Sequence, residues 1–320
     1  MKTQHLSAQK DLDIEQAQKI LTSGELVAIP TETVYGLAAD ASNPDAVKKI
    51  FAAKGRPANH PLIVHIGQLE QLSDWARDIP QQAYTIAKAF WPGPVTLLLN
   101  KADDANTVVT GGLDTIGIRM PVHPVFSTLL EASGMAVAAP SANPYKKLSP
   151  TSAVHVINSL EGKIAAVLDG GDCHHGLEST IIDLTQIPFR VLRSGPISAK
   201  QLADVLGEEV LTPTSHNAAV PGNVTSHYQP NTRVRLVSLD DIHTISELKV
   251  ACLHYSDIKP NNNVVSIRMP MDVAQYAHDL YRTLNDADKL ACDEIWVERP
   301  PLTEDWVAIH DRLNRAQSKL

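Results

Sequence analysis

The sequence predicts an α/β protein: a larger unit with a mixed sheet flanked by helices, then a smaller α/β unit. Three observations predict it. Short apolar runs of strand length alternate with segments of helical period over much of the chain. Two of those runs follow each other with no helix between them, which mixes antiparallel pairs into the sheet. The periodicity then fails over 212–232, a stretch rich in Pro, Ser, Thr, Asn and Gly, and resumes beyond it. The expected division is therefore 1–211, a linker or lid at 212–232, and 233–320.

The first helix is expected over Asp13–Ser23, with Ile14, Ala17, Ile20 and Leu21 at helical spacing and Gly24 closing it. Leu26–Ile29 reads as a buried strand that Pro30 stops. Asn43-Pro44 is an N-cap followed by proline at the first helical position, and the helix behind it buries Val47, Ile50 and Phe51 before ending near Gly55. Leu62–Ile66 is the next strand. A helix over Gln81–Phe90 and strands over Val95–Leu99 and Ile116–Met120 come next. Then follow a helix over Val125–Ser133, a strand over Ala136–Ala139, a helix over Thr151–Leu160 and a strand over Ile164–Leu168. Ser179–Leu184 and Arg190–Arg193 form a hairpin-like pair, and Ala199–Leu206 is helical.

Beyond the linker, strands are expected at Val234–Leu239, Val250–His254, Val264–Arg268 and Ile295–Val297, with helices at Asp272–Leu284 and Glu304–Ala316. This pattern suits a small Rossmann-like or flavodoxin-like sheet. It lacks Gly-x-Gly-x-x-Gly, so nothing in it points to a dinucleotide.

Composition narrows the function. A hydrophobic content of 43% and a charged content of 20% are those of an ordinary globular protein. A net charge of −8 argues against a general nucleic-acid binder, while leaving room for a local basic pocket. Cys173, Cys252 and Cys292 stand far apart, with no metal-ligand spacing, as in a reducing compartment. No apolar run reaches the ~18 residues of a membrane span, and the polar N-terminus does not resemble a signal peptide. The expected location is the cytoplasm.

Polar groups gather where the strands end. Thr31, Glu32, Thr33 and Tyr35 follow Pro30 directly, and such groups are costly to bury without partners. The loop is thus expected to face a ligand or itself. Lys54-Gly55-Arg56-Pro57 sets two cations in a Gly/Pro turn. Interaction with the helix dipole would account for them, but the hydroxyl loop one strand earlier favours a phosphate. Arg119 interrupts an apolar strand and must find an anion. Glu32 or Glu178 could supply it internally; a substrate carboxylate is the preferred reading.

His65, in another apolar strand, would ordinarily be a satisfied core histidine. Ala138-Ala139-Pro140-Ser141-Ala142-Asn143 repeats the strand-then-polar-turn device, and Ser149-Pro150-Thr151 opens a helix. Ser141 lacks a Gly-x-Ser-x-Gly elbow and a paired histidine, so a hydrolase nucleophile is rejected. The loop Gly170–Gly176 holds Cys173, His174 and His175 without a matching cluster, and reads as a mobile glycine-rich loop, not a metal site. Arg193-Ser194-Gly195-Pro196 adds another cation beside small residues.

In this order, "PTETVYGL", "KGRP", "HPLIVHI", "WPGPVTLLL", "GIRMP", "APSAN", "SPT", "ESTIIDL" and "VLRSGPIS" strongly resemble the YrdC-like threonylcarbamoyl-AMP synthases over about residues 10–207. The linker and second unit resemble the family's two-domain form. The resemblance implies a YrdC-like twisted mixed sheet and the synthesis of L-threonylcarbamoyl-adenylate from L-threonine, bicarbonate or CO2, and ATP. Pyrophosphate is the other product, Mg²⁺ the implied counter-ion, and a downstream tRNA threonylcarbamoyl-transfer machinery the implied partner. The family pattern places Thr33, His65, Arg119, Ala139 and Ser179 around threonine. It places Arg56, His60, Thr115, Ser141, Ser149, Arg193 and Tyr228 around ATP, with Lys54 near phosphate and Lys54 and Arg56 as the catalytic cations.

The chain departs from that pattern at His60, at Asn143–Lys147 and at Asn223, where the family has lysine or asparagine, a serine-glycine pair and methionine. Two other readings compete: RNA binding without catalysis, and a carbamoyl transferase of the hydrogenase-maturation kind. The acidic balance weighs against the first. The absence of acylphosphatase and zinc-finger segments weighs against the second.

Overall fold

The computed structural model describes residues 2–213, 216, 218–222, 226–244 and 247–317. Asn223, one of the departures noted above, lies outside them. The residues group into two compact units. One comprises Met1–Tyr145, Pro150–His174 and Glu178–Asn223; the other comprises Lys146–Ser149, His175–Leu177 and Val224–Leu320. Among the described residues no helix is long and apolar enough to cross a membrane.

The strands of the first unit, in chain order, are β1 (Gln4–Ser7), β2 (Val27–Ile29), β3 (Gly36–Asp40), β4 (Ile63–His65), β5 (Ala76–Arg77) and β6 (Val95–Lys101). They continue with β7 (Thr115–Arg119), β8 (Val137–Ala138), β9 (Ala166–Asp169), β10 (Thr180–Asp183), β11 (Phe189–Arg193) and β12 (Val210–Leu211). They form one sheet in the order β1-β9-β2-β3-β8-β4-β7-β6-β10-β11-β12, with β5 paired to β6. The sheet is mixed as expected: β4 and β7 run parallel, whereas β2 and β3, and β10 and β11, are antiparallel.

The helices are α1 (Asp11–Thr22), α2 (Pro44–Lys54), α3 (Leu72–Trp75), α4 (Gln81–Phe90), α5 (Pro124–Ser133), α6 (Ala153–Leu160) and α7 (Ala199–Leu206). They cover both faces of the sheet. Val27 and Ile29 pack with α1 (Ala17, Leu21) and α5 (Phe126, Leu130), while Ala28 between them packs into the cluster holding α2, α4 and α6. A strand buried on both faces needs the continuous apolar run seen in Leu26–Ile29. Each large side chain so buried contributes roughly 1.5–3 kcal/mol.

The local signals act as read. Asn43 Oδ1 accepts from the Asp45 and Ala46 amides at 3.0 and 3.2 Å. Gly55 closes α2 with φ 61°, a conformation that disfavours a side chain. The cap therefore delivers Lys54 and Arg56 at the end of a rigid helix.

The second unit holds β13 (Arg233–Val237), β14 (Val250–His254), β15 (Val264–Arg268) and β16 (Glu294–Glu298) in the parallel order β13-β16-β14-β15. Its helices are α8 (Leu239–His243), α9 (Val273–Ala287) and α10 (Val307–Ala316). Tyr276, Leu280, Tyr281 and Leu284 on α9, with Ile309 and Leu313 on α10, are buried. The expected strand at Val234–Leu239 stops at Val237, because Ser238 caps α8 through a reciprocal bond with Asp241.

Candidate active site

The loop after β2 folds onto itself first. Thr31 Oγ1 accepts from the Thr33 and Val34 amides at 3.1 and 3.2 Å, donates to the Val34 carbonyl at 2.6 Å and lies 2.9 Å from Thr33 Oγ1. The Tyr35 amide donates to Pro150 O and the Ala142 amide to Tyr35 O, both at 2.8 Å. An isolated bridge joins Gly36 to Ser141. The first polar loop and the Pro140–Asn143 turn, read as two copies of one device, are thus laid side by side.

Arg119 reaches this loop from the end of β7. Its Nη1 donates to Thr33 Oγ1 at 3.0 Å and its Nε to Gly93 O at 3.3 Å, while Nη2 lies 2.5 Å from Glu32 Oε1. Both members of the ion pair have side chains only 4% exposed. The internal carboxylate weighed as a partner for Arg119 is therefore present. Yet Glu32's two oxygens and Arg119 Nη2 complete no hydrogen bond among the described residues: the atoms are close, but not aligned for one.

His65 stands opposite Arg119 in the parallel register of β4 and β7. Burial first, and the Arg119 charge second, push its pKa down to about 3, so the ring is neutral in ordinary buffers. Arg193 bears on the same ring more weakly. Arg193 in turn donates through Nε to Ser179 O at 3.0 Å and through Nη2 to Ser179 Oγ at 2.9 Å. That hydroxyl lies 2.7 Å from Thr96 Oγ1. Thr33, His65, Arg119, Ser179 and Arg193 are thereby linked by contact or charge, and the Ala139 amide donates to Ile63 O on the same strand as His65.

The remaining expected residues fall as follows. Lys54 is 4% exposed, and its Nζ donates to the carbonyls of Ser141 and Asn143. Burial and the nearby Arg56 hold its pKa well below the ordinary lysine value. Arg56 is half-buried and donates to Pro61 O at 2.8 Å; His60 meets the Tyr145 ring edge-on at 5.5 Å. Thr115 opens β7 opposite Asn100. Ser149 and Tyr228 belong to the second unit, where Tyr228 is 1% exposed and its ring stacks on Tyr281 at 5.5 Å.

The glycine-rich loop differs from expectation. It is pinned: Tyr35 Oη donates to Gly171 O at 2.8 Å and accepts from the Gly170 amide at 3.2 Å, and the Cys173 amide donates to Thr151 O at 2.9 Å. A Cβ at Gly170 would come within 2.6 Å of Pro30 Cγ and 3.0 Å of His123 Cε1, so the close approach requires glycine there. Among the described residues no three His, Cys, Asp or Glu side chains converge as metal ligands.

Sequence reasoning missed Thr96 and His123, and gave Glu32 only the part of a partner. Thr96 sits in an apolar run. His123, between Pro121 and Pro124, belongs to no motif or period.

A family model described as "Telomere recombination" matches residues 19–195, and one described as "Threonylcarbamoyl-AMP synthase, C-terminal domain" matches residues 197–318. The chain is 38% identical over 317 residues to threonylcarbamoyl-AMP synthase of Pyrococcus abyssi, covering 95% of this chain and 93% of that protein. It is 39% identical over 322 residues to the Bacillus subtilis protein of the same name, with coverage of 96% and 93%. The structure of P. abyssi Sua5 complexed with L-threonine superposes with a TM-score of 0.91 at 38% identity, over 99% of this chain and 97% of that one. E. coli YciO, at 24% identity and a TM-score of 0.55 over 63% of this chain, shares the fold.

Proposed function

The chain belongs to the threonylcarbamoyl-AMP synthase family and is an enzyme of that kind, and from this premise we propose its reaction and the residues that serve it. L-threonine and CO2 or bicarbonate give a carbamate. The carbamate oxygen attacks the α-phosphorus of ATP, pyrophosphate leaves, and L-threonylcarbamoyl-adenylate is formed for threonylcarbamoyladenosine modification of tRNA. Such a displacement needs positioning and neutralised charge more than a protein nucleophile.

Arg119 would hold the threonine carboxylate, with Thr33, Ser179, His65 and Ala139 shaping the pocket around the rest. Arg56 and Arg193 would offset phosphate charge, and His60, Thr115 and Ser141 would complete the nucleotide contacts in the first unit. Lys54, tied to the Ser141 and Asn143 carbonyls, would act by fixing the turn that carries Ser141. Ser149 and Tyr228 join the nucleotide set on the resemblance alone, as does the assignment of 212–232 to a lid. Magnesium would enter on the nucleotide's own phosphates.

The observation that carries this reading is the Arg119–Glu32–Thr33 cluster, a buried cation and anion with open polar ends beside a neutral histidine. The test is pyrophosphate release from ATP by the purified protein, omitting L-threonine or bicarbonate in turn. Release should require both, and L-serine, one methyl group smaller, should be slower by about tenfold or more. Release without threonine would refute the assignment.

A further inference from the structure

We propose that Glu32 is the catalytic group that takes the proton from the threonine ammonium, and that His123 passes that proton outward. The proposal rests on the reaction given above and deepens it, since no residue has yet been assigned to this proton.

The geometry comes first. Glu32 and Arg119 present an anion and a cation side by side, 2.5 Å apart, with both carboxylate oxygens and Arg119 Nη2 unsatisfied by hydrogen bonds. A buried ion pair whose facing atoms complete no hydrogen bond is costly, and a ligand that supplies those bonds would relieve it. An amino-acid zwitterion is the complement of such a pair. Its carboxylate would take Arg119 Nη2 and its ammonium would take Glu32. The other two nitrogens of Arg119 are engaged by Gly93 and Thr33, which fixes the guanidinium plane and so the direction of Nη2.

The chemistry then requires a base. An ammonium has no lone pair, and R–NH3⁺ + CO2 gives R–NH–COO⁻ + 2 H⁺. One proton passes to Glu32, and the freed lone pair forms the N–C bond to the CO2 carbon as one C–O π pair moves onto oxygen. The second N–H proton leaves by the same route once Glu32 has handed on the first.

His123 is placed to receive it. It precedes α5, its Cε1 and the Pro30 ring both lie against Gly170, and its ring feels the Glu32 charge. Its Nδ1 is buried without a hydrogen-bond partner among the described residues. Burial keeps the ring's pKa below the ordinary histidine value, while the Glu32 charge pulls it back up. Cys173, with Asp172 beside it, also feels the Glu32 and Arg119 charges; burial raises its thiol, so it does not compete for the role.

The experiment compares wild type with Glu32→Gln in threonine-dependent pyrophosphate release across pH, with thermal melts to verify folding. At neutral pH the variant should lose about 10²–10⁴-fold in kcat, the range of general-base catalysis. The deficit should shrink as pH rises toward the pKa of the substrate ammonium, where solvent removes the proton instead. A deficit constant across pH, or none, overturns the proposal. If wild type itself shows no threonine-dependent release, it is the functional reading that fails. Should Glu32→Gln not fold, His123→Gln carries the test: kcat should fall with KM for threonine unchanged, and added imidazole should restore it. An unchanged kcat, or a fall that imidazole leaves untouched, overturns the proposal equally.

Discussion

Two buried carboxylates of the first unit each face an arginine and are built on opposite principles. Asp183 at the end of β10 is 1% exposed, and its oxygens accept from the Thr185 amide (3.0 Å) and hydroxyl (2.6 Å), Gln186 Nε2 (3.0 Å), and Arg190 Nε and Nη2 (3.0 Å each). Glu32, at 4%, has Arg119 2.5 Å away and completes no hydrogen bond among the described residues. Burial raises the Asp183 pKa, but the bonds from Thr185, Gln186 and Arg190 outweigh it and leave the carboxyl below its usual range. A saturated pair holds a turn together. The Glu32–Arg119 pair, buried at both members where Arg190 is partly exposed, keeps its polar capacity for something else, at a cost in stability.

The largest effect should come from Arg119. Arg119→Gln is expected to lower kcat/KM for threonine about 10³-fold, or roughly 4 kcal/mol at 1.4 kcal/mol per factor of ten. Asp183→Asn should do the reverse. Breaking a buried, fully bonded pair costs about 3 kcal/mol of stability, visible as a lower Tm, while the folded enzyme keeps its activity within about twofold. The contrast collapses if, well below both melting points, Asp183→Asn is as inactive as Arg119→Gln.

Arg56 sharpens it from a third side. This half-buried cation at the end of α2 donates to Pro61 O. Arg56→Ala is expected to cost about 10²-fold in turnover, near 2.7 kcal/mol, with a Tm change within that of an ordinary surface substitution. A large drop in Tm with turnover intact would make Arg56 a structural residue instead.

The contrast between the pairs also marks what the sequence could reveal. Elements with strong local signals were legible to within a residue or two. Gln81–Phe90 and Ala199–Leu206 match α4 and α7, and the Asn43 cap, Gly24 and Gly55 mark helix ends as read. Elements made by context were not. β3 is Gly-Leu-Ala-Ala-Asp, poor in β-branched residues, and becomes a strand because β2 and β8 flank it. β1 buries only Leu6 among its described backbone partners and carries no alternation that stands out.

At the site, Arg119 was conspicuous because a cation interrupts an apolar run. Glu32 was visible as a possible partner, but whether its oxygens are filled is a matter of geometry that no spacing encodes. His123 and Pro30 meet at Gly170, a contact between residues far apart in the chain. The pinned state of the Gly170–Gly176 loop escaped for the same reason: its anchors are Tyr35 and Thr151.

The smallest effect concerns His65, and its sign follows from linkage. The folded chain holds this ring neutral with a pKa near 3, whereas an unfolded chain protonates it near ~6.5. Between those values the unfolded state binds more protons, so the residue withdraws stability as pH falls from about 6.5 toward 3. A glutamine there cannot titrate. His65→Gln should therefore be less stable than wild type at pH 7.5, where the neutral ring packs well, and the gap in Tm should narrow on acidification to pH 5. A gap of constant size would mean that His65 finds a proton-accepting partner in the folded protein.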